Sequence, residues 1–232
     1  MKPETGKNRL AGLSEHGKEQ NMSKNYAITI GRQFGSGGRE IAERLAELLG
    51  IKCYDKELLK MAADKKGVSP DYLRKVDEKA NNSLLYALAM GVSMHRAGAT
   101  GAEMPINDKL FIAQTEIIKE LAEAESAIFV GRCADYILRH HPARISFFVY
   151  TDYEKRVERV MQEYDCPRKE AEDMINKTDK SRVNYYNFYT GKKWGKHDNY
   201  HLAVDSAVLG VEGTAQMLAA AVHTFLKNNG IE

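Results

Sequence analysis

The segment 26–49 constrains the fold more than any other part of the chain, because three structural patterns follow one another in it without interruption. Residues 27–30 (AITI) form a short run of β-forming side chains that ends at Gly31. Beyond a glycine-rich turn, Ile41 and Leu45 begin the apolar spacing of an amphipathic helix. The sequence therefore predicts a strand that turns directly into the N-terminus of a helix.

The turn between the two patterns has the properties of an anion-binding site. Its glycines can adopt positive φ and leave backbone N–H groups unobstructed, while the first helical turn adds unpaired N–H groups and a positive dipole end. A phosphate group fits such a site, and the alternative is a tight turn that needs glycine for packing alone. The candidate phosphate-binding residues are Gly35, Ser36, Gly37, Gly38, Arg39 and Glu40.

This turn departs from the common P-loop, G-x-x-x-x-G-K-[ST], in which the lysine contacts the β- and γ-phosphates and the hydroxyl binds magnesium. If Gly37 fills the second glycine position, Gly38 stands at the lysine and Arg39 at the hydroxyl residue. With a shift of one residue, Arg39 replaces the lysine and Glu40 the hydroxyl residue. Arg39 is thus the candidate for the lysine's catalytic role, and Glu40 is a candidate magnesium ligand.

Composition excludes some classes of partner. The chain has 232 residues, of which 43% are hydrophobic, and a formal net charge of +2. Because this charge creates no strong electrostatic field, we expect a globular protein that binds neither nucleic acid nor a membrane surface. Its three separated cysteines fit neither a disulfide framework nor a zinc site, and no apolar stretch reaches the ~18 residues of a membrane span. We therefore expect a cytoplasmic location.

Strand and helix patterns alternate along the rest of the chain. Continuous apolar runs at 127–130 (AIFV) and 145–150 (ISFFVY) are typical of strands that are buried on both faces in a parallel sheet. Further short strands are predicted at 51–54 and 201–204. Five strands that alternate with helices predict a three-layer α/β fold, with a five-stranded parallel sheet flanked by helices.

The same patterns divide the chain into segments. Residues 1–24 are polar and are interpreted as a flexible leader, followed by a single domain over 25–232. A helical insertion is predicted at about 56–106, and its apolar run at 82–94 is a candidate packing or homodimer surface. A helical lid is predicted at about 165–199, whose tyrosine-rich part either packs on the domain or stacks on a base.

Short motifs follow a fixed order from Tyr26 to the last helical pattern. The turn GSGGRE is followed by GRC after the strand AIFV, and then by HPA, TDYEKR, DKSR and VDS. In these motifs the chain resembles the cytidylate kinase-like family, a branch of the P-loop nucleoside monophosphate kinases. Cytidylate kinases have G-x-G-K-[GS]-T, G-R-D, a Pro-Asp-Ala step, Ser/Thr-x-E-x-R, R-D-x-x-D-S-x-R and D-T-S at the corresponding places.

The resemblance implies a P-loop NTPase fold, the use of ATP with Mg²⁺, and phosphoryl transfer to a nucleoside monophosphate. Arg132, expected at the carboxyl edge of the sheet, is assigned to the acceptor phosphate. Arg182 of the lid motif is assigned to catalysis and to the acceptor, and Asp179 and Asp55 are further candidate acceptor-binding residues. The alternatives for these side chains are surface ion pairs and helix caps.

Several residues depart from the pattern of the family. The lysine and hydroxyl of the P-loop are absent, Cys133 replaces the aspartate of G-R-D, and Ile175 and Asn176 replace the first Arg-Asp of the lid motif. Cytidine specificity therefore does not carry over, whereas the fold and phosphate binding do.

Two functions stay open at this point. The first is an ATP-dependent phosphotransferase that acts on a nucleoside monophosphate or a similar small acceptor, with Arg39 in place of the lysine. The second is a nucleotide-binding regulatory or sensor protein without transfer activity. Transfer requires cations at both ends of the phosphate chain, whereas binding requires only the glycine-rich turn.

Overall fold

The computed structural model describes residues 25–67 and 105–231. The predicted leader at 1–24 lies outside these residues, as does the apolar run at 82–94 together with most of the predicted helical insertion. The described residues include the sheet, the helices on both of its faces and the glycine-rich turn.

Five strands form one parallel sheet in the order β2-β3-β1-β4-β5. The strands are β1 (Ala27–Arg32), β2 (Lys52–Tyr54), β3 (Ala127–Val130), β4 (Arg144–Tyr150) and β5 (Leu202–Asp205). The central strand is β1, where Ala27 pairs with Ala127 of β3 and with Arg144 of β4. The predicted five-stranded parallel sheet is confirmed. Its strand order reverses beside β1, and open α/β sheets bind their ligands at such a reversal, beyond the carboxyl ends of the strands.

Helices connect the strands and cover the sheet. They are α1 (Gly38–Leu49), α2 (Glu57–Lys66), α3 (Ile106–Ala124), α4 (Ala134–Ile137), α5 (Tyr153–Tyr164), α6 (Arg168–Thr190) and α7 (Ser206–Asn228). Asp205 caps α7 by accepting a hydrogen bond from the N–H of Ala207, and Gly210 interrupts this helix near its start. None of the described helices combines the length and the apolar character that crossing a membrane requires.

The apolar strands are covered on both faces, which gives the fold its three layers. On one face, α1 and α7 pack on the sheet through side chains such as Ile41 and Leu218. On the other face, α2 and α3 pack near Phe129 through Leu58 and Ile118. Burial of these side chains removes apolar surface from water, which is the main stabilisation of such a core. The predicted three-layer α/β fold is confirmed.

The helix α6 forms most of the segment predicted as a lid. Its first half packs on α5, where Ala171 and Ile175 contact Val157 and Val160. The tyrosine-rich part of the sequence begins inside the same helix, and there Tyr186 joins the core cluster beneath β3. The helix therefore runs from α5 past the glycine-rich turn to the hydrophobic core.

We expect the sheet to depend on the side chains between its central strands and α1. Phe147 of β4 is fully buried, so Phe147→Ala should lower the free energy of unfolding by about 3–5 kcal/mol. The matched substitution Phe188→Ala removes a ring that is 42% exposed, and it should cost about 1 kcal/mol or less. Urea denaturation of both variants measures the difference, and equal losses would contradict the packing described for β4.

Candidate functional site

The glycine turn, residues 33–37, connects the end of β1 to the N-terminus of α1. Gly35 and Gly37 have φ values of 76° and 72°, in the left-handed region that residues with a Cβ rarely adopt. A Cβ at Gly35 would also lie 2.9 Å from the carbonyl oxygen of Arg156. Glycine is therefore needed at both positions for the backbone to follow this path.

The N-terminus of α1 presents unpaired backbone donors beside the turn. The first hydrogen bond inside the helix joins the N–H of Ile41 to the carbonyl oxygen of Gly37 at 3.0 Å. The N–H groups of Gly38, Arg39 and Glu40 thus have no helical partner, and no side chain in the described part of the chain caps them. They border a cleft of about 280 Å³, here called the turn cleft. The dipole of α1 makes this cleft suitable for a phosphate chain.

Several groups of the turn are engaged inside the protein. The buried hydroxyl of Ser36 donates to the carbonyl oxygen of Gln33 at 2.9 Å, and the N–H of Ser36 donates to the same oxygen at 3.4 Å. The carbonyl oxygen of Ser36 accepts a hydrogen bond from Ser206 at 2.7 Å. The N–H of Phe34 donates to the carboxylate of Asp179 at 2.8 Å. Within the predicted phosphate site at 35–40, the backbone N–H groups without a helical partner are those of Gly38, Arg39 and Glu40, and phosphate binding there stays a prediction.

Asp179 of α6 fixes the glycine turn to two helices. Besides the N–H of Phe34, its carboxylate accepts a hydrogen bond from Arg156 of α5 at 2.7 Å and lies 3.5 Å from Arg182. Burial raises the pKa of Asp179, although the Phe34 N–H and both arginines act in the opposite direction. The sequence predicts acceptor binding for Asp179, and the structure places this residue in an anchor for the turn.

Arg39 and Glu40 lie at the mouth of the turn cleft and are paired with other charges. The side chain of Arg39 is 54% exposed, and its Nε lies 2.9 Å from Glu43 and 3.8 Å from Asp55. Glu40 forms an ion pair with Arg159 of α5. No group of three or more His, Cys, Asp or Glu in the described residues could hold a metal ion. A magnesium ion here would need phosphate oxygens among its ligands.

A second pocket, here called the aromatic pocket, adjoins the turn cleft and has a volume of about 50 Å³. Aromatic rings line part of it, namely Tyr185, Tyr186, Trp194 and Tyr200. Its charged lining residues are Arg32, Arg132, Asp135 and Arg182. The pocket therefore combines ring surfaces with three guanidinium groups, an arrangement that suits an anionic ligand.

A strained backbone presents Arg132 to the aromatic pocket. Gly131, Arg132 and Cys133 follow one another with φ values of 72°, 54° and 58°. A left-handed conformation costs a residue with a side chain on the order of 1 kcal/mol or more, and such strain is concentrated at functional sites. The position agrees with the predicted placement of Arg132 at the carboxyl edge of the sheet.

Asp135 gives the aromatic pocket a carboxylate. Its Oδ2 accepts a hydrogen bond from the hydroxyl of Tyr186 at 2.6 Å, and burial raises the pKa of Asp135. Burial also raises the pKa of Cys133, so this thiol is not a reactive nucleophile. Cys133 stands where cytidylate kinases have aspartate, and Asp135 supplies a carboxylate two residues further along the chain.

Arg32 and Arg182 line both pockets. Nη2 of Arg32 lies 3.1 Å from Asp55, and Arg182 donates to the carbonyl oxygen of Arg32 at 2.9 Å. Burial and the charge of Arg32 lower the pKa of Arg182 to about 9. Burial also lowers the pKa of Arg32, and Arg132 acts in the same direction. A bound anion would stabilise the protonated forms of Arg32 and Arg182.

Sequence reasoning identifies neither Arg32 nor Asp135 as a site residue. A signal for Arg32 exists, because it lies two residues after the first predicted strand, and the carboxyl end of a central parallel strand faces the ligand crevice. For Asp135 the chain offers no comparable signal. Its partner Tyr186 is 51 residues away in the sequence, and only the fold brings the two together.

Comparisons with known proteins identify the family of the chain and agree with its fold. The sequence profile of the family described as the cytidylate kinase-like family matches residues 27–208. An uncharacterized protein from Eubacterium ventriosum is 30% identical, with a TM-score of 0.64 over 86% of this chain and 99% of its own. A gluconokinase from Sinorhizobium meliloti is 15% identical, with a TM-score of 0.53 over 88% of this chain and 94% of its own, and this likeness concerns the fold. No curated protein matches the chain.

We expect the Asp135 carboxylate to reduce stability at neutral pH. Its pKa is raised in the folded protein, so the penalty is complete above the folded pKa and disappears as the pH falls below the usual aspartate value of about 4. Asp135→Asn should therefore be at least as stable as the wild type at pH 7, with a difference that shrinks on acidification.

Urea denaturation across this pH range measures the effect, and Asp173→Asn, at an exposed position on α6, is the matched control. A difference from the wild type that does not change with pH would contradict the raised pKa of Asp135, and an Asp135→Asn loss that grows as the pH rises would show that the carboxylate is stabilising instead.

Proposed function

The chain belongs to the cytidylate kinase-like family, and from this premise we propose that it is an ATP-dependent phosphotransferase. The triphosphate of ATP binds at the glycine turn and the N-terminus of α1. The acceptor, a nucleoside monophosphate or a similar small phosphorylated molecule, binds with its phosphate in the aromatic pocket. A location in the cytoplasm belongs to the same proposal.

One observation carries the proposal: the turn cleft and the aromatic pocket share Arg32 and Arg182 as lining residues. A phosphoryl group that moves from one pocket to the other therefore passes two guanidinium groups. Phosphoryl transfer asks a protein mainly for positioning and for positive charge around the moving group. A binding site without transfer would need only the turn cleft.

The turn cleft suits the donor because its groups match a phosphate chain. Backbone N–H groups from Gly38 to Glu40 are free of helical partners, and Arg39 stands at the mouth. Magnesium, when bound with ATP, would neutralise charge between the β- and γ-phosphates. The carboxylates that line the cleft and could approach its water shell include Glu40 and Asp55.

The aromatic pocket suits the phosphate end of an acceptor. Its volume of about 50 Å³ is that of a small anionic group rather than of a whole nucleotide. Arg132 lies in this pocket and not among the residues that line the turn cleft. The aromatic rings around Trp194 offer flat surfaces for the remainder of the acceptor.

The separate pockets allow a test by substitution. With magnesium present, a coupled assay over nucleoside monophosphates and small phosphorylated metabolites first identifies the acceptor. Arg132→Gln should then raise the KM for the acceptor roughly 10- to 100-fold, because a charge-assisted contact is lost. Arg39→Gln should instead raise the KM for Mg-ATP, because Arg39 lines the turn cleft and not the aromatic pocket.

The control is Arg168→Gln, which removes an exposed arginine that pairs with Glu154 and Glu172. This variant should change neither the KM for the acceptor nor the KM for Mg-ATP. Consumption of ATP without dependence on any acceptor would contradict the assignment of the aromatic pocket. A protein that binds nucleotide but transfers phosphate to no acceptor would favour the regulatory or sensor function. A protein that binds no nucleotide would exclude both the phosphotransferase and the sensor function.

A further inference from the structure

The side chain of Arg32 occupies the space beside the position where a P-loop has its lysine. Gly38 is the first residue of α1 and stands at that position. A Cβ built on Gly38 would lie 2.5 Å from Cβ and 3.1 Å from Cγ of Arg32. Real Cβ atoms do not approach other atoms so closely, so a side chain at position 38 and the present Arg32 exclude each other.

Arg32 is the nearest steric constraint on position 38, and the backbone there adds none. Gly38 is not among the residues with positive φ, so its backbone conformation is open to any residue. The other neighbour of an added Cβ would be Cβ of the buried Val149 at 3.2 Å, a tight approach but a longer one than that to Arg32. The absent lysine is therefore linked first to the side chain at position 32.

A second glycine makes room for the head of the same side chain. A Cβ on Gly131 would collide with Nη1 of Arg32. The arginine thus begins beside Gly38 and ends beside Gly131, between the carboxyl ends of β1 and β3. There its guanidinium is held by Asp55, and its backbone carbonyl is held by Arg182.

From this arrangement we propose that Arg32 takes the place of the P-loop lysine as the cation that contacts the phosphates where the donor and acceptor sites meet. The inference rests on the proposed phosphotransferase function and assigns a further catalytic residue to it. Arg32 is 17% exposed and lines both pockets, whereas Arg39 is 54% exposed and lines only one. A guanidinium stays charged in this buried setting and offers a planar fork to two phosphate oxygens.

The first test measures phosphate binding and turnover separately. We expect Arg32→Gln to weaken the binding of inorganic tripolyphosphate, measured by calorimetry, roughly 10-fold or more. Its kcat/KM for Mg-ATP should fall by about 100-fold or more. Arg32→Lys should lose less tripolyphosphate affinity and less kcat/KM, because it keeps a point charge. If Arg32→Gln does not fold, the Arg32→Lys variant decides whether Arg32 contacts phosphate. Arg168→Gln, with the same loss of charge at an exposed site, should match the wild type.

The second test restores the usual lysine. The two Cβ atoms would be only 2.5 Å apart, so alanine at position 32 leaves the clash in place and glycine is required there. Arg32→Gly alone should lose tripolyphosphate affinity, and Gly38→Lys alone should be impaired by the clash. The double variant Arg32→Gly with Gly38→Lys should recover at least about 10-fold in affinity over Arg32→Gly. A purely structural role of Arg32 predicts no such recovery.

The outcomes separate the inference from the proposed function. Arg32→Gln and Arg32→Lys variants that bind tripolyphosphate within about twofold of Arg168→Gln would overturn the inference and leave the phosphotransferase standing. A wild-type protein that binds tripolyphosphate but transfers no phosphate would overturn the phosphotransferase, while the binding series would still decide the role of Arg32. A wild-type protein that binds neither tripolyphosphate nor Mg-ATP would overturn both.

Discussion

The hydrogen bond between Asp179 and the N–H of Phe34 fixes the position of the glycine turn, on which the proposed phosphate site depends. Asp179 also pairs with Arg156, so a single carboxylate ties the glycine turn to α5 and α6. A buried ion pair of this kind gains little net free energy against its desolvation cost, but the loss of one partner leaves an uncompensated charge. The turn is thus held in one place, which leaves the amides after Phe34 aligned towards the turn cleft.

The helix α6 also places a positive charge, that of Arg182, beside the start of the glycine turn. Arg182 lies one helical turn after Asp179 and reaches the carbonyl oxygen of Arg32. Arg32, Arg132 and Arg182 line the aromatic pocket together with Asp135. On the side of the turn cleft, Asp55 pairs with Arg32. An arrangement of this kind is least favourable without an anion. Ligand binding should therefore relieve repulsion as well as form contacts.

The fold could be predicted from the sequence, whereas the site could be predicted only in part. Buried parallel strands are continuous apolar runs, so β3 and β4 were recognisable, and the glycine turn follows from residue type. The path of a long side chain is not encoded in periodicity. Arg39 follows the turn in the sequence but lies at its mouth, while Arg32 precedes the turn and reaches between the pockets. Likewise, a helix pattern could not show that Asp179 faces Phe34.

The contact between Arg32 and Gly38 has an evolutionary consequence. A side chain gained at position 38 would meet the stem of Arg32, and under the proposed role of Arg32 the loss of this arginine would remove a cation from the phosphate site. The two positions should therefore covary among relatives of this chain. Sequences with a lysine at position 38 should have glycine at position 32, and a lineage that changed from one arrangement to the other would have passed through a weakened intermediate.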